Sequence, residues 1–246
     1  MSKRNKIVLQ PAYILHHRPY RDTSLLLEVF SHEYGRVGLV ARGARSSRSR
    51  NKALFQPFQP LLISWLERGD LGTLTDIEAA STGFIISGKR VLSGFYINEL
   101  ILKLLHRHDP HSELFEHYAA TIEDLFSDGD EQLTLRLFEK KLLQQLGYAL
   151  LLDVEENTGL QVKEESEYEY IPETGPRVYQ AGVLSGVKVS GECLLSLHNE
   201  VFETPRSQLE AKRLMRFVLA HHVGVSAMKT RAVCRDMNNH LNVDSV

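Results

Sequence analysis

The feature that most constrains the fold is a change in the spacing of apolar residues near Gly88. Before it, over about 80 residues, apolar and polar residues alternate in short runs between turn residues, as in half-buried β-strands. After it, apolar residues recur about every 3.6 positions, as on one face of an α-helix. The chain is therefore expected to have a β-rich amino-terminal part and a mainly helical remainder.

Five strands are predicted in the amino-terminal part. Their approximate bounds are Ile7 to His16, Ser24 to Phe30, Arg36 to Arg42, Leu61 to Glu67 and Leu71 to Glu78, with a tight turn at Arg68-Gly69-Asp70. Five short strands without a long helix favour an OB-type barrel, which binds single strands in a basic groove beside exposed aromatic rings. The candidate rings are Tyr20, Tyr34 and Phe55, and burial in the core or at an edge is the alternative for each.

Four helices are predicted beyond Gly88. The first runs to about His106 and has an apolar face of Val91, Phe95, Asn98, Ile101, Leu102 and Leu105. The next two run from about Ser112 to Phe126 and from Glu131 to Leu146. The third follows the N-cap candidates Asp128 and Asp130, ends before Gly147 and has a buried stripe of Leu135, Phe138, Leu142 and Leu146.

The last predicted helix starts at a capping box, Ser207-Gln208-Leu209-Glu210, and continues to about His222. Its apolar face is formed by Ala211, Leu214, Met215 and Val218. Between the third and last helices, alternating runs at 168–170, 177–179 and 187–189 indicate a small β excursion.

These elements predict an α+β protein in three parts. Residues 1–80 form the five-stranded OB-fold barrel that binds nucleic acid. Residues 81–152 and 204–246 form a mainly α-helical domain, and residues 153–203 form a small β-rich insertion.

Composition is typical of a globular protein that can bury a real core, with 246 residues, 43% hydrophobic and 24% charged. No apolar run of about 18 residues and no signal-peptide pattern is present, so we expect a cytoplasmic protein. The two cysteines, Cys193 and Cys234, are too few for a disulfide framework and form no CxxC pair.

The net charge of -2 conceals a strong segregation of charge. Residues 1–66 carry 11 Lys/Arg and 3 Asp/Glu, residues 109–170 carry 4 and 16, and residues 206–246 carry 7 and 3. Because binding depends on the local field, which decays over about 10 Å at moderate salt, the basic ends remain candidates for a polyanion.

The run from Arg42 to Lys52 carries five cations between two predicted strands. Its small Ser, Gly and Ala residues let guanidinium groups approach a phosphate backbone, which gives affinity rather than sequence choice. The alternative is a solvated, disordered loop without a ligand.

Two further basic groups lie on predicted helices. Lys212, Arg213 and Arg216 lie opposite the apolar face of the last helix and would extend a DNA track. Arg136 and Lys140 recur at i, i+4 beside the buried stripe of the third helix, a combination suited to an acidic, apolar peptide end.

No catalytic site is predicted. The segment from His106 to His111 holds three histidines and one aspartate, but Pro110 interrupts any helix, and the spacing does not place metal ligands on one face. Nucleophile-elbow, P-loop and dinucleotide-binding patterns are absent from the sequence. We therefore expect a protein that is not an enzyme and needs no cofactor.

Four motifs in the amino-terminal part resemble, in order and spacing, the RecO family of bacterial DNA repair and recombination proteins. They are His17-Arg18-Pro19-Tyr20-Arg21-Asp22-Thr23-Ser24, Glu33-Tyr34-Gly35-Arg36, Val40-Ala41-Arg42-Gly43-Ala44-Arg45 and Gln56-Pro57-Phe58. The resemblance continues through Tyr96-Ile97-Asn98-Glu99-Leu100, Arg136-Leu137-Phe138-Glu139 and Leu146-Gly147-Tyr148, and ends at Lys229-Thr230-Arg231.

The resemblance implies a recombination mediator that binds single- and double-stranded DNA and anneals complementary strands. It implies work with RecR on strands coated by the single-stranded DNA-binding protein SSB, help in loading RecA, and a cytoplasmic, nucleoid-associated location. The expected DNA-contacting residues are Arg18, Arg21, Arg36, Arg42, Arg45, Arg48, Arg50, Lys52, Lys212, Arg213, Arg216, Lys229 and Arg231.

The resemblance also implies a docking site for the acidic, apolar tail of SSB on the helical domain. The matching residues are Arg136, Phe138, Lys140 and Leu142, and an ordinary solvent-facing Arg136 is the alternative. Many members hold zinc through four cysteines in the insertion. Because this chain has no cysteine before Cys193, we expect no zinc.

Two other classes of protein remain as alternatives. A plain OB-fold module for single-stranded nucleic acid would need only the first 80 residues or so. A nuclease or other hydrolase would need convergent carboxylates or histidines, and the acidic segment 109–170 shows no spaced catalytic pair.

Overall fold

The amino-terminal strands form a closed five-stranded barrel in the computed structural model, which describes residues 5–47, 49–67, 69–81, 88, 90–127, 129–182, 185–223 and 228–230. The strands are β1 (Lys6–Tyr20), β2 (Ser24–Ser31), β3 (Gly35–Ala41), β4 (Leu61–Leu66) and β5 (Leu71–Ala79). Their order around the barrel is β1-β2-β3-β5-β4. The predicted OB-type barrel is confirmed.

The long strand β1 closes the barrel because it pairs with two neighbours. It is antiparallel to β2 along its second half and to β4 along its first half, with irregularities between Ile14 and His16 and between Ile7 and Gln10. Such bulges bend a strand and increase its twist. The other closure is a short parallel pairing of β3 with β5.

Apolar residues fill the barrel interior. Trp65 is 2% exposed, and Ile14 and Leu27 are fully buried around it. Gly72 of β5 permits close packing here, since a Cβ at this position would collide with the Leu39 side chain. Burial of about 25 cal/mol per Å² of apolar surface makes this interior the main stabilising element of the barrel.

Two helices pack on the outside of the barrel, α1 (Arg90–Leu104) and α2 (Ser112–Phe126). The Asn98 side chain of α1 donates a hydrogen bond to the Leu15 backbone oxygen at 2.9 Å and accepts one from the Tyr118 hydroxyl at 2.8 Å. Tyr118 also packs edge-on against Tyr13 and Phe30. This buried polar link fixes both helices to β1.

The face that α1 buries differs from the prediction. Asn98 and Ile101 are buried as expected, but Phe95 is 38% exposed, and Ile97 and Leu100 are fully buried in its place. Because α1 contacts both β1 and α2, it buries a wide arc centred on Ile97, which the spacing of apolar residues alone did not reveal.

The chain separates by packing into two units, residues 1–127 with 228–246 and residues 128–227. The first, called the barrel unit below, holds the barrel with α1 and α2. The second unit holds the remaining helices and a small sheet. The three-part division by kind of element, given above, stays a prediction.

The second unit contains α3 (Glu131–Gln145), α4 (Gly191–Asn199) and α5 (Pro205–Val223), with strands β6 (Glu167–Ile171), β7 (Gly175–Val178) and β8 (Val187–Ser190). The strands form one antiparallel sheet in the order β7-β6-β8. The small β excursion is therefore confirmed, but its end was predicted wrongly, since 191–199 is helical.

The helix ends show which capping predictions were correct. The Asp130 carboxylate accepts hydrogen bonds from the backbone N–H groups of Gln132 at 2.8 Å and Leu133 at 3.2 Å, as an N-cap does. Asp128 lies outside the described residues. The capping box at Ser207 was wrong, because α5 begins two residues earlier and Ser207 N–H donates to the Thr204 hydroxyl.

Glu210, the other half of that predicted box, serves a different contact. Its carboxylate accepts hydrogen bonds from the Ser190 backbone N–H at 2.9 Å and from the Ser190 hydroxyl at 2.6 Å. It therefore joins α5 to the junction of β8 and α4. The predicted apolar face of α5 is fully buried, as expected.

No helix in the described ranges is long and apolar enough to cross a membrane.

Candidate nucleic-acid interface

The basic segment after β3 is held to the tip of the β1–β2 hairpin. The Arg45 backbone N–H donates a hydrogen bond to the Thr23 backbone oxygen at 2.8 Å, and Arg45 Nη1 lies 3.5 Å from the Arg21 backbone oxygen. Arg21 occupies the hairpin tip with φ of 51° and stacks its guanidinium over Tyr20 at 5.2 Å. Arg21 and Arg45 therefore share one surface.

Turns and apolar anchors order the described part of this segment. Ser46 N–H donates to the Gly43 oxygen, and Ser49 N–H to the Ser46 oxygen, each at 3.0 Å. Ala44 is 3% exposed and Phe55, at the end of a short 3-10 helix at Lys52–Phe55, is 6% exposed, and both belong to the barrel core. The expectation of an irregular loop was therefore wrong for these residues.

Six of the predicted DNA-contacting cations of the barrel unit are exposed. They are Arg18, Arg21, Arg42, Arg45, Arg50 and Lys52. Within the part of the chain that the structure describes, none of these six forms an ion pair with a carboxylate. We call Arg21, Arg42, Arg45 and Arg50 the basic face, since the contacts above place the loop and the hairpin tip together.

Arg36 has a different environment from the basic face. Its Nη1 donates to the backbone oxygens of Leu102 and Leu105, the latter at 2.8 Å, and its Nε lies 3.5 Å from the Glu28 carboxylate. A guanidinium held at a helix carboxyl end satisfies the last carbonyls of that helix. Arg36 thus joins α1 to the barrel, which argues against a direct phosphate contact.

Glu28 also accepts a hydrogen bond from Arg107, in the segment that follows α1. The same segment lies against β3, because His108 N–H donates to the Arg36 oxygen at 2.9 Å and a Cβ at Gly35 would collide with the Asp109 backbone. The sequence gave no signal for this arrangement, since Glu28 and Arg107 are separated by 79 positions.

The three candidate aromatic rings differ in exposure. Phe55 is buried in the barrel core, so a stacking role for it is wrong. Tyr34 is partly buried and packs edge-on against Trp65 at 5.2 Å. Tyr20, partly buried beneath the Arg21 guanidinium, is the candidate ring that adjoins the basic face.

The predicted cations near the carboxyl end fall into two groups. On α5, Arg213 and Arg216 are exposed and Lys212 is partly buried, and Arg213 Nη2 donates to the Lys188 oxygen at 2.6 Å. In the barrel unit, Lys229 is exposed and its backbone N–H donates to Glu99 at 2.7 Å. Arg48 and Arg231 lie outside the described residues.

The predicted peptide site on α3 centres on a buried ion pair. Arg136 is 5% exposed, and its Nη2 donates to the Glu139 carboxylate at 2.9 Å. Phe138 and Leu142 are buried beneath the helix. Lys140 Nζ caps α4 through the backbone oxygens of Leu197 and His198, at 2.9 and 3.0 Å.

Two family profiles match the sequence over almost all of the described fold. The profile for the recombination protein O N terminal matches residues 4–82, and that for the recombination protein O C terminal matches residues 87–232. The chain belongs to the recombination protein O family. Its members named DNA repair protein RecO include similar proteins from several bacteria.

Three of these RecO relatives show how far the similarity extends. The Nitrosococcus oceani protein is 45% identical over 97% of both chains. The Methylococcus capsulatus protein is 43% identical over 94% of both chains, and the Coxiella burnetii protein is 43% identical over 94% of this chain and 98% of its own. The relation therefore covers both units.

The residues of this RecO-family chain do not fit the zinc site that the resemblance implied. Among the residues that the structure describes, no group of three or more histidine, cysteine or acidic side chains is placed to hold a metal ion. Cys193 is fully buried on α4, and burial raises the pKa of its thiol, which disfavours the thiolate that binds zinc.

A buried carboxylate instead links the strands of the small sheet. Glu169 of β6 accepts hydrogen bonds from Arg177 Nε at 3.0 Å and Nη2 at 2.7 Å, and from the backbone N–H groups of Ser185 and Gly186. The hydrogen bonds from Arg177 hold the pKa of the Glu169 carboxyl below its ordinary value. This link joins β7 and the entrance to β8 through β6.

Proposed function

We propose that this protein is a recombination mediator that binds single- and double-stranded DNA and anneals complementary strands without cutting them. The observation that carries the proposal is the basic face, where four exposed guanidinium groups without carboxylate partners lie on an ordered loop and hairpin of an OB-type barrel. Family membership supports a role in DNA repair.

Annealing by such a face is an electrostatic process. Two complementary strands repel each other through their phosphates, and bound arginines neutralise that charge and release counterions. The fixed backbone of the loop reduces the conformational entropy lost on binding. The expected result is strong dependence on salt and little dependence on sequence, and the process has no catalytic step.

The proposal extends to partners through the helical part of the chain. We propose that the protein acts with RecR at SSB-coated strands, that it aids RecA loading, and that Lys212, Arg213 and Arg216 add to the DNA surface. The location proposed with this role is the cytoplasm, at the nucleoid.

Salt-dependent binding tests the basic face directly. We expect Arg45→Ala combined with Arg50→Ala to weaken binding to a single-stranded oligonucleotide at all sequences. The slope of log K against log salt should fall by about 2, one for each lost phosphate contact. Fluorescence anisotropy over a salt series measures both quantities.

The matched control removes two cations elsewhere. Lys103→Ala combined with Lys163→Ala makes the same change in net charge at two exposed positions outside the basic face. It should leave the slope close to that of the wild type. Equal loss in both double variants would show that net charge, rather than this face, governs binding.

For the SSB tail, we propose that the α3 pair anchors an acidic peptide end. Arg136 Nε is buried without a hydrogen-bond partner among the described residues, so an incoming carboxylate would complete its hydrogen bonding. Phe138 and Leu142 support this helix from the core, and Lys140 orders the adjoining end of α4.

A double substitution tests this docking without leaving a buried charge alone. Replacing Arg136 and Glu139 together by Leu removes the pair, a change that is often neutral for stability. Binding of a synthetic SSB tail peptide should fall by about tenfold or more, the usual effect of losing one charged hydrogen bond. Oligonucleotide binding should be kept, and unchanged peptide affinity would contradict the proposal.

A further inference from the structure

A pocket of about 280 Å³ lies between the basic loop and β5 of the barrel. Ala41, Ala44, Phe55 and Ile77 provide buried apolar lining. The exposed lining is polar, and it consists of Arg42, Arg50, Asn51, Thr75 and Asp76. The pocket is thus apolar at its base and charged at its rim.

This combination of size and lining suits one planar heterocycle. Pockets for small ligands span roughly 300–1,000 Å³, and this one lies just below that range. An apolar base with a few polar rim groups binds flat rings and fixes their orientation. Two cations at the rim add the means to hold the negative groups attached to such a ring.

Asp76 is the unexpected member of the rim. It is an exposed carboxylate in a pocket that also has two arginines, yet it forms no ion pair with either of them. Its Oδ1 accepts a hydrogen bond from the Ile77 backbone N–H at 2.9 Å. A carboxylate repels phosphate and only accepts hydrogen bonds, so its suitable partner is an N–H donor on the ligand.

We propose that this pocket takes one nucleobase of a bound single strand, with Asp76 accepting a hydrogen bond from an exocyclic amino group. Arg42 and Arg50 hold the phosphates on either side of that base. The inference rests on the DNA binding proposed above and adds a base preference to it. Carboxylate side chains accept from the N4 amino group of cytosine in the same way.

The preference follows from the chemistry of position 4 of the pyrimidine ring. Cytosine presents an amino donor there, whereas uracil presents a carbonyl oxygen that a carboxylate repels. The two bases are otherwise nearly equal in size and both lack the thymine methyl group. Oligomers of deoxycytidine and deoxyuridine therefore isolate the contribution of Asp76.

The test measures the affinities of the full-length protein for 20-mers of deoxycytidine and deoxyuridine, where the length is about that of a typical single-strand site. We expect the wild type to bind the cytosine oligomer about fivefold more tightly. Asp76→Asn should bring this ratio to about one or below, because the amide also donates to the uracil oxygen.

Glu78→Gln is the matched control. It removes one acidic charge two residues along the same strand, at an exposed position that does not line the pocket. It should keep the preference for cytosine, with both affinities changed by the same factor. Thermal unfolding of both variants checks that the barrel is intact.

The outcomes separate this inference from the proposed function. Equal wild-type affinities for the two oligomers overturn the base pocket and leave DNA binding in place. An Asp76→Asn variant that binds both oligomers more tightly, at an unchanged ratio, shows that Asp76 only repels phosphate and also overturns it. Failure of the wild type to bind either oligomer removes the proposed function and the pocket with it.

Discussion

Arginines of the barrel unit have two separate tasks, and their burial distinguishes them. Arg45 is exposed and carries the basic face, while Arg36 is partly buried and closes the end of α1 against Glu28. The sequence placed both in motifs that suggested DNA contact. It could not separate them, because the Arg36 partners Leu102 and Leu105 are 66 and 69 positions away.

Substituting these two arginines one at a time should therefore give opposite results. Arg36→Ala leaves two carbonyls and one carboxylate without a donor and should lower the free energy of unfolding by about 2 kcal/mol, with the salt slope of DNA binding unchanged. Arg45→Ala should lower that slope by about 1 with little change in stability. Urea unfolding and a salt titration measure the two effects, and a slope change in Arg36→Ala would contradict the assignment.

Asn98 is the residue on which the packing of α1 and α2 against the barrel depends. Asn98→Ala leaves the Leu15 carbonyl and the Tyr118 hydroxyl without their partner inside the protein, so we expect a loss of about 3 kcal/mol in urea unfolding. Tyr118→Phe removes only one of the two hydrogen bonds and should cost less. Equal costs for both variants would show that Asn98 contributes only through its contact with Tyr118.

Among the elements, the small sheet of the second unit depends on one ionised group. The Glu169 carboxyl has a lowered pKa, so its stabilising contribution is complete above the ordinary value of 4.5 and is lost as pH falls through the lowered pKa. Glu169→Gln should lower stability at pH 7 by about 1–2 kcal/mol, since Arg177 is partly exposed.

The pH dependence of this variant tests the cause. The difference in melting temperature between wild type and Glu169→Gln should shrink as the pH is lowered below about 4.5, because the wild-type carboxyl then takes up a proton. Glu164→Gln, at an exposed position before β6, provides the control. A difference that stays constant with pH would mean that the carboxylate charge is unimportant to the sheet.

The elements also show what the sequence was able to predict. Strict alternation in the first 80 residues or so identified all five barrel strands, and the bounds of α2 were predicted correctly. The nine-residue helix α4 was missed because it starts at Gly191 directly after β8 and is too short for a clear period. The basic loop was predicted as irregular, although Ala44 and Phe55, its apolar residues, anchor it in the core.

At the scale of the whole molecule, charge segregation was the more useful guide to function. A net charge of -2 gives no indication of a polyanion ligand, whereas the excess of cations in residues 1–66 points to the barrel. The pocket beside β5 was not predicted, because Asp76 meets Arg42 and Arg50 only when the barrel closes.

The most direct test of the central claim is annealing of two complementary oligonucleotides, followed by fluorescence quenching at low and moderate salt. The account predicts that the wild type and the Lys103→Ala, Lys163→Ala control accelerate annealing equally, and that Arg45→Ala with Arg50→Ala loses most of the acceleration. Annealing by the arginine variant at the wild-type rate, with its fold intact, would contradict the role of the basic face.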